Sequence, residues 1–76
     1  MKNIFINCTA KEFYEVLKPL LLTLDGYNMY NDEWIPSDRG CLIQSDGRWF
    51  PFKHLKDLEE IDLDDFIAAV TKIEQQ

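Results

Sequence analysis

The chain has 76 residues, fourteen acidic against eight basic, with a formal net charge of −6 and 46% hydrophobic side chains. A chain of this length forms one domain, residues 1–76, whose core supplies roughly 3–5 kcal/mol of margin. The hydrophobic content excludes intrinsic disorder, and the acidic balance disfavours direct contact with nucleic acid or an anionic membrane surface.

Asn3 to Asn7 (NIFIN) is β-branched and aromatic and apolar on both faces, which predicts a strand inside a sheet. Thr9 and Glu12 then have capping-box spacing, each side chain placed to satisfy the other's backbone N–H, with Cys8 and Phe13 at the hydrophobic-staple positions around them. Phe13, Val16, Leu17, Leu20, Leu21 and Leu24 follow at helical spacing as one apolar stripe. Pro19 interrupts the hydrogen-bond ladder but not the stripe, so a kinked single helix is expected, stopped by Asp25-Gly26.

Residues 27–40 are aromatic and turn-rich, and Pro36 limits Trp34-Ile35 to an edge strand at most. Residues 41–52, CLIQSDGRWFPF, read as a β-hairpin closed by Asp46-Gly47 in a type I′ turn. A two-residue loop of that type opposes Gln44 to Trp49, Ile43 to Phe50, Leu42 to Pro51 and Cys41 to Phe52. Cys41, Ile43, Phe50 and Phe52 would then face the core, leaving Leu42 and Trp49 on the other side. A connection through His54 leads to Ile61. Asp62 and Asp65 then have cap-and-N3 spacing, and Leu63, Phe66, Ile67, Val70 and Ile73 form the stripe of a terminal helix. The expected fold is α+β: a small, mainly antiparallel sheet with two helices on one face, in the order β-α-(β)-β-β-α.

Chemistry-bearing residues are sparse. Cys8, Cys41 and the single histidine, His54, have no metal-ligand or thiol-catalyst spacing, and the hairpin register makes Cys41 core packing. No catalytic residue, metal or cofactor is expected, and the chain reads as non-enzymatic. Cys8 and Cys41 could form one disulfide, but Met1-Lys2-Asn3 runs straight into a strand with no signal-peptide pattern, which implies a cytoplasmic protein with reduced thiols. No apolar run approaches a membrane span.

Two features point to binding. Asp57, Glu59, Glu60, Asp62, Asp64 and Asp65 fall within nine residues; as helix-cap and solvated charges they need no function, but along one ridge they imitate a stretch of phosphates. Trp49, with Trp34 as a second candidate, is then an exposed aromatic anchor. The order of signals resembles small accessory proteins of bacteriophages and prophages: a strand, a capped helix ending in Gly26-Tyr27, the aromatic middle, the hairpin, and IDLDDF opening a last helix. In size and charge the chain is similar to the small acidic inhibitors of host defence among them, anti-CRISPR proteins included. That resemblance implies a protein partner with a basic, nucleic-acid-handling surface, met by Asp57, Glu59, Glu60, Asp64, Asp65, Trp49 and Trp34. The alternative is a self-associating structural module in which the Trp49 face pairs with its own copy; a small enzyme or metal protein using cysteine, His54 and carboxylates is the third reading.

Overall fold

The computed structural model describes residues 3–54 and 58–74. Five strands, β1 (Ile4–Asn7), β2 (Asn28–Met29), β3 (Gly40–Ile43), β4 (Arg48–Phe52) and β5 (Glu59–Asp62), form one sheet in the order β2-β4-β3-β1-β5. Two helical rods pack on one of its faces, so the α+β class holds. The sheet is mixed where a mainly antiparallel one was expected. β1–β3 and β3–β4 are antiparallel, while β1–β5 and β2–β4 are parallel. β1, β2, β4 and β5 therefore run in one direction with β3 alone against them, and the rod between β1 and β2 returns the chain so that β2 starts in the direction of β1. β5 occupies part of what read as a connection.

The first rod covers residues 10–23 as α1 (Ala10–Glu12), a π-helical turn (Phe13–Leu17) and α2 (Lys18–Thr23). Its start is the capping box: the Glu12 N–H donates to Thr9 Oγ1 (3.1 Å) and the Thr9 N–H to Glu12 Oε1 (2.9 Å). Pro19 has no N–H to donate, and the ladder adapts by widening. The Lys18 N–H reaches back five residues to the Phe13 carbonyl, and Pro19 sits in the first turn of α2, where a missing donor costs nothing. The wide turn rotates the apolar stripe. Phe13, Leu17 and Leu21 are fully buried, whereas Val16, expected on the stripe, is 41% exposed. Leu24 is extended and Gly26 takes φ +85° in the turn that follows.

The hairpin corrects the expected register. Ile43 opposes Trp49, Leu42 opposes Phe50, Cys41 opposes Pro51 and Gly40 opposes Phe52, one residue away from the two-residue loop. The loop has three residues, Ser45-Asp46-Gly47. The Gly47 N–H donates to the Gln44 carbonyl (2.8 Å) and the Gln44 N–H to the Arg48 carbonyl (2.8 Å). No described non-glycine residue has positive φ, so Asp46 cannot occupy a type I′ turn; Gly47 alone is left-handed, at φ +94°. A slip of one residue exchanges the faces of a strand. Trp49 enters the core with Cys41, Ile43 and Ile6, beneath Phe13, Leu17, Leu21, Leu63 and Phe66. Phe50 and Phe52, expected in that core, lie with Leu42 and Phe5 on the opposite face.

α3 (Leu63–Glu74) begins directly where β5 ends. Leu63 and Phe66 are buried, and Ile61, Ile67 and Val70 pack partly against them, as the staple and stripe predict; the Ile73 side chain lies outside the described residues.

Two substitutions test this frame. Any Cβ at Gly47 would collide with the Gly26 carbonyl as well as face the left-handed backbone, so Gly47→Ala is expected to cost more than about 1 kcal/mol and lower Tm by at least about 4–8 °C. Trp49 is fully buried, and its Nε1 finds no acceptor among the described residues. Trp49→Ala should therefore cost about 3–5 kcal/mol, while Trp49→Phe, which also removes the unpaired donor, should cost clearly less in a urea titration.

Candidate functional site

The acidic residues form a ridge along one edge of the molecule. Glu59, Glu60 and Asp62 are exposed on β5, the terminal strand of the sheet, and Asp64 and Asp65 are exposed in the first turn of α3. Asp57 lies outside the described residues. Because β5 leads straight into α3, the carboxylates of strand and helix run on as one series. The register places Glu60 beside Phe5 and Asp62 beside Asn7, on the face away from the helices. Glu60 is anchored there: one carboxylate oxygen pairs with His54 Nε2, and the other accepts from Asn7 Nδ2 (3.4 Å). None of the ion pairs among the described residues involves Asp62, Asp64 or Asp65. Asp64 and Asp65 also favour the helix N-terminus electrostatically, by about 0.3–1 kcal/mol each. The charges on β5 further discourage another strand from pairing with that edge.

The two tryptophans do not stand where an anchor would. Trp49 is fully buried beneath the helices and cannot meet a partner without unfolding. Its neighbour Phe13 lies edge-on to it, ring centroids 6.0 Å apart. Trp34 is half-buried with its ring 5.7 Å from that of Phe13, and it belongs to a strap fastened to the first rod rather than to an edge strand. The Tyr14 hydroxyl accepts from the Trp34 N–H (2.9 Å) and donates to the Asp32 carbonyl (2.7 Å). Lys18 Nζ lies 2.6 Å from Asp32 Oδ2 and holds that carboxyl below its ordinary range. Beyond the strap, Asp38 is buried in a turn, its carboxylate accepting from the Ile35 N–H (2.8 Å).

The sheet face away from the helices carries the aromatics that sequence reading assigned to the core. Phe50 and Phe52 meet edge-to-face at 5.7 Å, Tyr30 lies 5.4 Å from Phe50, and the Arg48 guanidinium sits 5.8 Å from the Tyr30 centroid. Arg48 also pairs with Asp46 at 2.7 Å. Toward the other side, His54 stands edge-on to Phe5 at 5.6 Å, between that ring and Glu60. His54 thus closes over Phe5, which is fully buried although no helix covers it. The signal that could have revealed this arrangement was the turn: Ser45-Asp46-Gly47 also fits a type I turn followed by a left-handed glycine.

The cysteines are free, Cys8 half-buried and Cys41 buried in the core. Desolvation, with the charge of Glu12 adding to it, pushes the Cys8 thiol up to about 12, and desolvation raises Cys41 further still. Neither is a thiolate near neutral pH, and among the described residues no group of three His, Cys, Asp or Glu side chains could hold a metal ion. No described helix is long and apolar enough to cross a membrane. No protein family, curated protein or solved structure matches the chain.

Both thiols are expected to resist a disulfide reagent at pH 8 in the folded protein and to react fully in denaturant. The thiol of Cys8 would ionise near 9.0 in the unfolded chain but only near about 12 when folded. The unfolded state therefore loses its proton first, and folding stability should fall as pH rises above about 9, less steeply in Cys8→Ser.

Proposed function

We propose that this is a non-enzymatic protein-binding module that acts in the cytoplasm by laying its acidic ridge on a basic surface of a nucleic-acid-handling protein, in the manner of a small phage inhibitor of host defence. One observation carries the reading: Glu59, Glu60, Asp62, Asp64 and Asp65 are all exposed along a single edge, and three of them have no cationic partner among the described residues. Strand residues two apart project about 6.7 Å from each other on one face, and the helix turn continues the series. A row of carboxylates meets a surface built for a phosphate backbone with matching sign.

The buried Trp49 changes the character of the contact. Without an aromatic anchor beside the ridge, attraction is mainly long-range and polar, which speeds encounter more than it slows departure. The exposed aromatic Tyr30 packs against β4, which lies three strand spacings from β5, about 14 Å away. It is too far from the ridge to complete one small docking patch. Binding should accordingly be fast, reversible and strongly weakened by salt.

The test is a tagged capture from host lysate, nuclease-treated, at low and high salt, with a variant carrying Asp62→Asn, Asp64→Asn and Asp65→Asn beside the parent. The expected result is a basic nucleic-acid-handling protein held at low salt, released at high salt and poorly held by the variant. In purified form the variant should associate about tenfold more slowly, with its dissociation rate little changed. A partner held equally by both proteins, or held regardless of salt, would rule out the ridge as the docking surface.

A further inference from the structure

The dipeptide Asp-Gly occurs twice in the chain, at Asp25-Gly26 and at Asp46-Gly47, and the fold treats the two differently. We infer from the difference that Asp25 is a site of spontaneous backbone isomerisation, whose isoaspartyl product unseats the contact on which β2 rests. In this reaction the main-chain nitrogen of the glycine gives up its proton and attacks the side-chain carboxyl carbon of the aspartate. Water leaves as a five-membered succinimide closes. Water then opens the ring to either aspartate or isoaspartate; in the second, the main chain runs through Cβ and the α-carboxylate becomes the side group. No oxidant or cofactor enters, and the mass is unchanged. Glycine favours closure because it has no side chain in the way and the widest choice of backbone conformation. The carboxyl must be free to react, the glycine N–H free to lose its proton, and the backbone free to bring them together.

Asp46 fails on each count. Its Oδ1 accepts from the Arg48 N–H (3.1 Å) and its Oδ2 from Arg48 Nε (2.7 Å). Those bonds, the backbone one foremost, hold the carboxyl below its ordinary range, and the ionised form has no hydroxyl to release as water. The Gly47 N–H is committed to the Gln44 carbonyl (2.8 Å). Gly47 itself is buried and left-handed against the Gly26 carbonyl, so its backbone cannot turn. Asp25 is the opposite case. Its side chain is exposed and makes no hydrogen bond or ion pair among the described residues, and the Gly26 N–H has no acceptor among them. The pair lies between the last bond of the first rod, Leu24 N–H to the Leu21 carbonyl (3.2 Å), and the first bond of β2. The space where a side chain on Gly26 would stand is open.

The product matters because of where it falls. The Gly26 carbonyl stands against Gly47, and two residues on the Asn28 N–H donates to the Gly47 carbonyl (2.9 Å). Isoaspartate at position 25 lengthens the main chain by one atom directly before Gly26. The Gly26 carbonyl and Asn28 then no longer reach Gly47 together, and β2 loosens from β4 at that end. The acidic ridge lies at the other edge of the sheet, so its chemistry is untouched.

The experiment ages the full chain for several weeks at neutral pH, well below its melting temperature, beside the same chain in denaturant. Isoaspartate is located by peptide mapping with electron-transfer fragmentation, which distinguishes the isomers. In denaturant the two sites should convert at similar rates. In the folded protein Asp25 should convert at least about tenfold faster than Asp46, whose carboxyl and following N–H must first be released from their hydrogen bonds. The isolated isoaspartyl form should melt at least about 4 °C lower and lose protection at the Asn28 amide. Asp25→Glu keeps the charge but would have to close a six-membered ring, and should age without either change. Equal conversion of the two sites in the folded protein would overturn the inference. So would an Asp25 that converts only in denaturant, or an isoaspartyl form with the parent's Tm and Asn28 protection.

Discussion

Gly47 stands against the carbonyl of Gly26 with a left-handed backbone, and most of the molecule follows from that contact. The glycine ends a three-residue turn, which sets the register of β3 on β4 and turns Trp49 inward. It also lets the chain after the first rod approach the hairpin closely enough for the Asn28 N–H to bond to the Gly47 carbonyl. β2 is thereby seated on β4, and the first rod, which leads into β2, is drawn over the face that Trp49 occupies. A side chain at Gly47 would oppose all three steps, since it would meet backbone that no rotamer change can move.

The aromatic residues divide around that turn. Trp49 fills the space between the rods and the sheet, where its size suits a small core that has few residues with which to exclude water. Its unpaired Nε1 detracts from that stabilisation. Phe50, Phe52 and Tyr30 are left on the uncovered side. The edge-to-face contact of Phe50 with Phe52 and the tilted one of Tyr30 with Phe50, with Arg48 over Tyr30, shelter part of each ring without a third layer. Phe5 is closed off by other means, with His54 held across it through Glu60.

The distribution of charge gives the molecule two unlike ends. Carboxylates gather at β5 and the start of α3, where they favour the helix dipole, guard an open strand edge and form the ridge. At the far side, Asp32 is matched by Lys18 and Asp46 by Arg48, and the β2 edge is uncharged.

Local features were legible in the sequence because they depend on residues close together in the chain. The Thr9–Glu12 box, the stop near Gly26, the existence of a hairpin at Asp46-Gly47, the Leu63–Val70 stripe and the α+β class all rest on spacing and on single-residue backbone preferences. The acidic series was also readable, since strand and terminal helix adjoin in the chain. What required the tertiary structure was every choice between near-equal local options. Asp46-Gly47 fits both a two-residue and a three-residue turn, and only the packing of Gly47 on Gly26, twenty-one residues earlier, selects the second. That selection reversed the faces of β4 against those of β3 and moved Trp49 from candidate anchor to core. Pro19 forbids one hydrogen bond but does not say whether the helix breaks, kinks or widens; the need to keep Phe13, Leu17 and Leu21 on one sheet face selects the π turn. Strand pairing β1–β5 and β2–β4 likewise joins segments far apart in sequence, where periodicity carries no information and only the shared core decides which edges meet.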